Sequence, residues 1–216
     1  MKKLLIITAS ILLAFTNANA VEKRIGLAAG FTDVEASGTE TLKDSSKKAT
    51  KSVEEKTVIP SIFFELAADN GFGLGIEHVP GTADIHTESR ADDDAESSGG
   101  NKASAEIDGL TSLYAIKTFN NGLFLKAGMT QSKVITNEVL NTGSTYGNET
   151  VEGTLFGLGF HKVRDNGVFF RASAEFTNYD SIKLTSGTAD AVTGTKNTID
   201  ADVDTTAFKI SIGKAF

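Results

Sequence analysis

Seven charged residues occupy the polar faces of alternating segments, where their types and spacing could support ion chemistry. They are Glu65, Glu77, Lys117, Lys126, Arg171, Glu175 and Lys209. Each lies a few residues from a short turn or from the last residue, so we expect them to form one layer. Such a layer either filters ions along a gated path or closes the path as a salt-bridged plug.

Enzymatic chemistry is not predicted for these residues. Glu65, Glu77 and Glu175 resemble paired acid–base carboxylates, but the neighbouring lysines and arginine would keep them ionised, which is unfavourable for a general acid. No Gly-x-Ser-x-Gly sequence is present. The histidines fall on different segments and are not expected to converge on a metal ion; they are His78, His86 and His161. We therefore expect no catalytic residue, no metal and no cofactor.

A separate acidic run, Asp92-Asp93-Asp94-x-Glu96, offers the oxygen ligands that Ca²⁺ prefers. The run lacks the glycine of an EF-hand loop. It is interpreted as a solvated loop tip, with divalent ions shared with lipopolysaccharide phosphates as a looser alternative.

Three short turns divide the chain into nearly equal lengths. They are Asp69-Asn70-Gly71, Asn120-Asn121-Gly122 and Asp165-Asn166-Gly167. Asn-Gly readily supplies the positive φ that tight hairpins need. The spacing predicts four units, each a strand, a long polar loop and a second strand. Eight strands with short turns at one end and long loops at the other form a small barrel.

Alternation with a period of two residues supports these strands and separates two faces. The aromatic residues predicted to face lipid are Phe31, Phe64, Phe72, Tyr114, Phe156, Phe160, Phe170, Phe176 and Phe208. The segment around Tyr114 is the least clear. Placing Tyr114 with the apolar residues puts Lys117 on the polar face. A two-residue turn would then place Lys117 opposite Lys126, with Glu77 or Glu65 between them.

The polar faces are rich in glycine, alanine and serine, which suits the cramped interior of an eight-stranded barrel. This favours a transmembrane barrel with its apolar face outward. A soluble carrier with the apolar face inward is the alternative. The polar stretches at about 37–54, 81–103, 137–149 and 180–203 are expected to be weakly structured external loops.

The first twenty residues read as a cleaved export signal, with Lys2 and Lys3, an apolar stretch to Phe15 and a small-residue site ending at Ala20. Residues 21–216 are then the barrel. The chain has a net charge of −7, which argues against nucleic acid as a partner. It contains no cysteine, so backbone pairing rather than disulfides must close the fold.

With these features the chain resembles the small eight-stranded outer-membrane proteins, the group that contains OmpX, the OmpA barrel and the neisserial opacity proteins. The most specific part is the last strand, with Phe208, Ile210, Ile212 and Phe216. The resemblance implies that the barrel-assembly machinery recognises this pattern and that the protein lies in a bacterial outer membrane. Lys214 departs from the pattern, since an apolar residue is usual there; its charge is expected to reach water.

Function is predicted less sharply than fold. The leading hypothesis is a structural or surface-interaction protein whose loops contact lipopolysaccharide or an extracellular ligand. In this hypothesis the charged layer is a plug, because eight strands leave an interior that side chains just fill. The alternative is a narrow monomeric channel for ions or small solutes, with the charged layer as its filter.

Overall fold

The computed structural model describes residues 21–41, 48–91, 100–139, 145–189 and 196–216. The predicted export signal and the acidic run at 92–96 lie outside the described residues. The strands are β1 (Val21–Thr41), β2 (Lys48–Ala68), β3 (Phe72–His78), β4 (Thr82–Ala91), β5 (Gly100–Thr118), β6 (Leu123–Val139), β7 (Glu149–Val163), β8 (Val168–Tyr179), β9 (Ile182–Ala189) and β10 (Lys196–Ala215). No helix in these ranges is long and apolar enough to cross a membrane.

The strands form one closed antiparallel ring with eight positions. Neighbouring positions pair in chain order, and β1 closes the ring against β10. Two positions are each shared by two strands, because β3 and β4 both pair with β5, and β8 and β9 both pair with β10. The predicted all-β, eight-stranded antiparallel up-and-down barrel is therefore confirmed.

Three tight turns lie at the Asn-Gly pairs, between β2 and β3, between β5 and β6, and between β7 and β8. Their glycines have positive φ, with +82° at Gly71, +87° at Gly122 and +80° at Gly167. The asparagine before each glycine accepts a hydrogen bond at Oδ1 from the N–H two residues later. Side-chain and backbone preferences of Asn-Gly thus fix the same end of every hairpin.

The turn between β5 and β6 is one residue longer than predicted. Three residues rather than two separate the paired strands, so Ile116 and not Lys117 is the partner of Lys126. Because side chains alternate, a slip of one residue exchanges the two faces of a strand. Lys117 therefore lies on the outer surface, and Tyr114 points into the barrel. The predictions that Lys117 lines the lumen and that Tyr114 faces lipid are wrong.

In the half of the barrel nearer the tight turns, four aromatic rings fill the interior, each beside a glycine of the neighbouring strand; further from the turns, Tyr179 lies opposite Gly153 in the same way. The cross-strand pairs are Gly26 with Phe63, Gly75 with Tyr114, Gly159 with Phe124, and Gly213 with Phe169. A Cβ added to Gly75 would lie 2.3 Å from Cζ of Tyr114, and one added to Gly213 would lie 2.3 Å from Cζ of Phe169. Because glycine has no side chain, it leaves the space that the aromatic ring of the neighbouring strand occupies.

Large apolar side chains form a belt on the outer surface. Eight of the nine residues predicted to face lipid are at least 42% exposed there: Phe31, Phe64, Phe72, Phe156, Phe160, Phe170, Phe176 and Phe208. Tyr114, at 2% exposure, is the exception. A continuous apolar exterior of this kind is a membrane-facing surface. A soluble carrier would need this apolar face to point inward, and here it points outward.

Strands extend well into the four polar stretches that were predicted as loops. β1 and β2 remain paired as far as Thr41 and Lys48, so most of 37–54 is strand. Parts of β4, β5, β6, β9 and β10 occupy the other three stretches. Threonine and serine are compatible with strands, and the ladder that starts in the apolar belt continues in register through them.

The extended strands enclose an apolar core beyond the belt. Its buried residues are Val34, Val134, Tyr146, Val151, Tyr179, Ile182, Leu184 and Val203. Tyr146 bridges to Ser186 and donates its hydroxyl to Glu40 Oε1 at 2.7 Å. We call the part of the barrel beyond the apolar belt, with this core inside it, the outer extension.

The turn geometry predicts different costs for two glycines with the same backbone. Gly71→Ala would place Cβ 2.2 Å from the carbonyl oxygen of Thr118, whereas Gly81 has a φ of +83° and open space around it. We expect Gly81→Ala to lower the free energy of unfolding by about 1–2 kcal/mol. Gly71→Ala should lower it by roughly 2 kcal/mol more, since the backbone must shift. Urea unfolding from lipid vesicles measures both, and equal losses would contradict this account.

Candidate functional site: an ion-paired layer in the barrel interior

β2 and β8 bring Glu65 and Arg171 together across the interior. Nη1 and Nη2 of Arg171 each donate to one carboxylate oxygen of Glu65, both at 2.5 Å. Glu65 is 0% exposed, and Nη1 of Arg24 lies 3.8 Å from its Oε2. A bidentate arginine–carboxylate pair is among the strongest and most directional of such contacts. This pair ties β2 to β8 through the centre of the barrel.

Aromatic rings enclose the guanidinium of Arg171. Its Cζ lies 5.0 Å from the ring centre of Phe169, 5.3 Å from that of Phe63 and 5.6 Å from that of Phe124. Ring faces attract a cation and exclude water from the pair beside it. Nε of Arg171 donates to Nδ1 of His161 at 2.9 Å, so every face of the guanidinium has a neighbour.

Two lysines and two glutamates form a second cluster beside the first. Nζ of Lys126 donates to Glu77 Oε2 at 2.8 Å and to Glu175 Oε1 at 3.0 Å. Nζ of Lys209 donates to Glu77 Oε1 at 2.6 Å and lies 3.0 Å from Glu175 Oε2. Each cation contacts both carboxylates, so the four groups make a closed square of alternating charge. Ser61 Oγ donates a further hydrogen bond to Glu77 at 2.7 Å.

Tyr114 connects the two clusters. Its hydroxyl donates to Glu65 Oε1 at 2.8 Å, and its ring centre lies 4.1 Å from Nζ of Lys126. One face of the ring thus stabilises a cation of the second cluster while the hydroxyl stabilises the carboxylate of the first. The two clusters form one layer, which we call the ionic layer.

The ionic layer balances its own charge. Three carboxylates, from Glu65, Glu77 and Glu175, face three cations, from Lys126, Arg171 and Lys209. Arg24, which also approaches Glu65, has its own counter-charge in Glu22 at 2.5 Å. Lys209 is the most exposed of the six side chains, at 19%, and the others are at 7% or less. Buried charges are tolerated when they are paired and hydrogen-bonded, and this layer satisfies both conditions.

A cavity lies between the ionic layer and the apolar core of the outer extension. Its volume is ≈ 60 Å³, enough for several ordered waters. Its floor is formed by Glu77, Glu175 and Lys209, and hydroxyl groups line its sides. They belong to Thr32, Ser61, Ser112, Thr130, Thr177 and Thr205. Apolar side chains, among them Val34, Leu110 and Leu155, line the rest of the cavity, so its wall is part polar and part apolar.

Six of the seven predicted charged residues meet in the ionic layer, and Lys117 is the exception. Its Nζ instead donates to the backbone oxygen of Asn70 at 2.6 Å. Sequence reasoning missed the contributions of Arg24, Tyr114 and His161 to this layer. Arg24 could have been predicted, because it lies on the polar face of β1 next to the outward-facing Ile25. Tyr114 was assigned to the wrong face, and the pairing of His161 with Arg171 has no local signature.

The histidines do not converge. Nδ1 of His78 is 2.9 Å from Thr111 Oγ1 at an exposed site, and His161 is buried in the interior. His86 lies in β4, not in a loop as predicted. Within the described ranges, no three histidine, aspartate or glutamate side chains are grouped so that they could hold a metal ion.

Comparisons with known proteins support the fold. The sequence matches no family model and no curated protein. The outer membrane protein OprG from Pseudomonas aeruginosa is similar in structure, with 13% identity and a TM-score of 0.55 over 91% of this chain and 95% of OprG.

Two weaker similarities are to Ail of Yersinia pestis and to Neisserial surface protein A. Ail, solved in complex with the heparin analogue sucrose octasulfate, is 10% identical, with a TM-score of 0.44 over 90% of this chain and 99% of Ail. Neisserial surface protein A is 12% identical, with a TM-score of 0.44 over 92% of this chain and 100% of that protein. The similarity to OprG shows the fold, which is that of an outer-membrane β-barrel.

The ionic layer predicts strong coupling between Glu65 and Arg171. Glu65→Gln should lower the free energy of unfolding by about 3–5 kcal/mol, because it leaves a buried guanidinium without its carboxylate. The double variant Glu65→Gln/Arg171→Met should lose less than the sum of the single variants. Urea unfolding from lipid vesicles gives the coupling energy.

An exposed ion pair provides the control for this double-mutant cycle. Lys183 and Asp200 lie 3.3 Å apart with side chains 77% and 57% exposed. Their neutralisation should change stability by less than about 1 kcal/mol. Additive losses at Glu65 and Arg171 would show that the pair is not the unit described above.

Proposed function

We propose that this protein is an outer-membrane barrel of a Gram-negative bacterium with a structural or surface-interaction role, closed to solute flow by its ionic layer. The observation that carries the proposal is the mutual pairing of the six buried charges. A conducting filter needs charged groups that exchange partners with passing ions. Here Lys126 and Lys209 each bind both Glu77 and Glu175, and Arg171 is held by Glu65 among three rings.

The outer extension supports a surface role. β1 and β10 remain paired well beyond the apolar belt, from Phe31–Phe208 to Thr41–Thr198. The buried apolar core of this part, which includes Tyr146, supports a surface of defined shape. The occupants we infer for it are lipopolysaccharide at its base and an extracellular ligand at its end. We propose no set of catalytic residues on the polar exterior. A binding role therefore fits this surface better than an enzymatic one.

The first and last segments of the sequence support a proposal for export and assembly. We propose that residues 1–20 are cleaved after Ala20 and that β10 carries the signal for the barrel-assembly machinery. Phe208, Ile210 and Ile212 are exposed on the outward side of β10, and Phe216, which follows the strand, is exposed as well. Nζ of Lys214 donates to the backbone oxygen of Asn166, so its charge lies at the turn rather than in the apolar belt.

The first prediction is the absence of conductance. Purified protein that is inserted in a planar bilayer, with insertion verified independently, should show no stable current steps. Steps in the unsubstituted protein, with an ion selectivity that changes in Glu77→Gln, would establish the narrow-channel alternative instead. Lys117→Gln is the matched control, because Lys117 lies outside the lumen and its neutralisation should leave any such selectivity unchanged.

The second prediction concerns orientation and uses the lack of cysteine in the sequence. Gly147 is exposed beside the outer extension with open space for a side chain, and Asp165 lies in a turn at the opposite end. In intact cells a membrane-impermeant maleimide should label Gly147→Cys and should label Asp165→Cys only after the outer membrane is permeabilised. The reverse pattern would overturn the proposed orientation.

A further inference from the structure

Five cations surround the barrel at the end that carries the tight turns. Lys23, Lys117, Lys162 and Lys214 lie on outward-facing positions, each next to the last apolar residues of its strand, and Arg164 follows Lys162 at the turn. Around the ring they extend from β5 through β7 and β10 to β1. We call this set the basic girdle.

Neighbouring apolar residues hold the basic girdle at the edge of the belt. Lys23 pairs with Leu66 across β1 and β2, and Lys162 pairs with Phe170 across β7 and β8. The ring of Phe170 also lies 5.4 Å from the guanidinium carbon of Arg164. The stems of these side chains therefore cover apolar surface while their charges lie at its boundary, as is usual at a membrane interface.

Lys117 and Lys214 share one arrangement at two different turns. Each donates from Nζ to the backbone oxygen of the turn asparagine on the neighbouring hairpin, Asn70 for Lys117 and Asn166 for Lys214. Nζ of Lys117 lies 4.2 Å from the ring centre of Phe72. An ammonium has three donors, so each lysine keeps donors for a further acceptor.

The basic girdle lacks protein counter-charges. Among the residues that the structure describes, none of its five cations forms an ion pair within 4.0 Å. Two acidic residues are next to girdle residues in sequence. Glu22 is bound to Arg24 at 2.5 Å, and Asp165 lies at a turn tip. The charges of the girdle are therefore open to an anion from outside the protein.

The opposite edge of the belt carries the opposite charge. Outward-facing residues beyond Phe31 and its neighbours include Asp33, Glu35, Glu54, Glu152, Asp202 and Asp204. Lys56 lies among them and is paired with Glu54 at 2.9 Å and Asp33 at 3.4 Å. Lys133 and Lys183 also face outward on this side, but the six acidic residues outnumber these three lysines. A net excess of cations is therefore found only at the tight-turn edge of the belt.

We propose that the basic girdle binds the phosphate groups of anionic phospholipids in the periplasmic leaflet of the membrane. This inference rests on the proposed outer-membrane function, because it needs the tight turns on the periplasmic side. The girdle matches such lipids in charge, in its position at the apolar boundary and in its free ammonium donors. A cation close to an anionic lipid surface strengthens association on the order of fivefold.

The test compares lipids in vesicles that contain the refolded protein. Electron paramagnetic resonance gives the association of spin-labelled phosphatidylglycerol relative to spin-labelled phosphatidylcholine. The unsubstituted protein should prefer phosphatidylglycerol several-fold, and added salt should reduce the preference. The girdle variant Lys23→Gln/Lys117→Gln/Lys162→Gln/Arg164→Gln/Lys214→Gln should lose the preference.

A control with the same change of net charge separates position from charge. Lys48→Gln/Lys51→Gln/Lys56→Gln/Lys133→Gln/Lys196→Gln alters only the outer extension and should keep the preference. The double variant Lys23→Gln/Lys162→Gln spares the turn contacts of Lys117 and Lys214. This double variant should lose part of the preference for phosphatidylglycerol, and it can be measured even if the variant with five substitutions fails to insert.

Two results would overturn the inference. One is an unsubstituted protein without any preference for phosphatidylglycerol, and the other is an equal loss in the control variant. Failure of the unsubstituted protein to insert into vesicles of either lipid is different, because it would overturn the outer-membrane function itself. Circular dichroism of the vesicle fraction distinguishes that failure from a loss of lipid preference.

Discussion

The narrow interior of an eight-position ring is the constraint on which the structure depends. Every inward side chain competes for the same space, so the rings around the ionic layer enter where the facing residue is glycine, as at Gly75 beside Tyr114 and Gly213 beside Phe169. Every inward charge must also find its partner within that space, because little water reaches it. The two requirements meet at Arg171, which is bound by Glu65 and enclosed by rings that the glycines admit. The proposed plug, and the proposed surface role of the outer extension, both rest on this packing.

Much of the fold could be predicted because its signals are local. Asn-Gly pairs mark the turns, and alternation marks the strands and their faces, since each needs only neighbouring residues. The charged residues of β2, β3, β6, β8 and β10 could be placed in one layer for the same reason. Each lies a similar number of residues from a turn, or for Lys209 from the last residue, and the sequence reveals both positions.

The errors arose where the outcome depends on contacts that are distant in sequence. The faces of β5 depend on whether its turn holds two or three residues, and a polar-looking Lys117 favoured the wrong choice. Its ammonium is stabilised by the backbone of another hairpin, at Asn70, which the sequence near Lys117 does not show. The length of the strands was underestimated because a threonine-rich sequence does not by itself distinguish a loop from a strand. Such segments become strands by pairing with a neighbouring strand. Contacts such as His161 with Arg171 follow only from the closed ring.

Closure of the ring has a consequence for the order of folding. The final pairing joins β1 to β10, where Phe216 and Lys23 exchange backbone hydrogen bonds of 2.9 and 3.2 Å. These strands are the most distant in sequence, and until they meet both present an unpaired edge that can join another chain. The loop that must close before this pairing forms spans nearly the whole barrel, so closure is expected to be slow and cooperative. The unfolded chain therefore remains vulnerable to aggregation until its last strand pairs, which gives an escort during passage to the membrane a physical purpose.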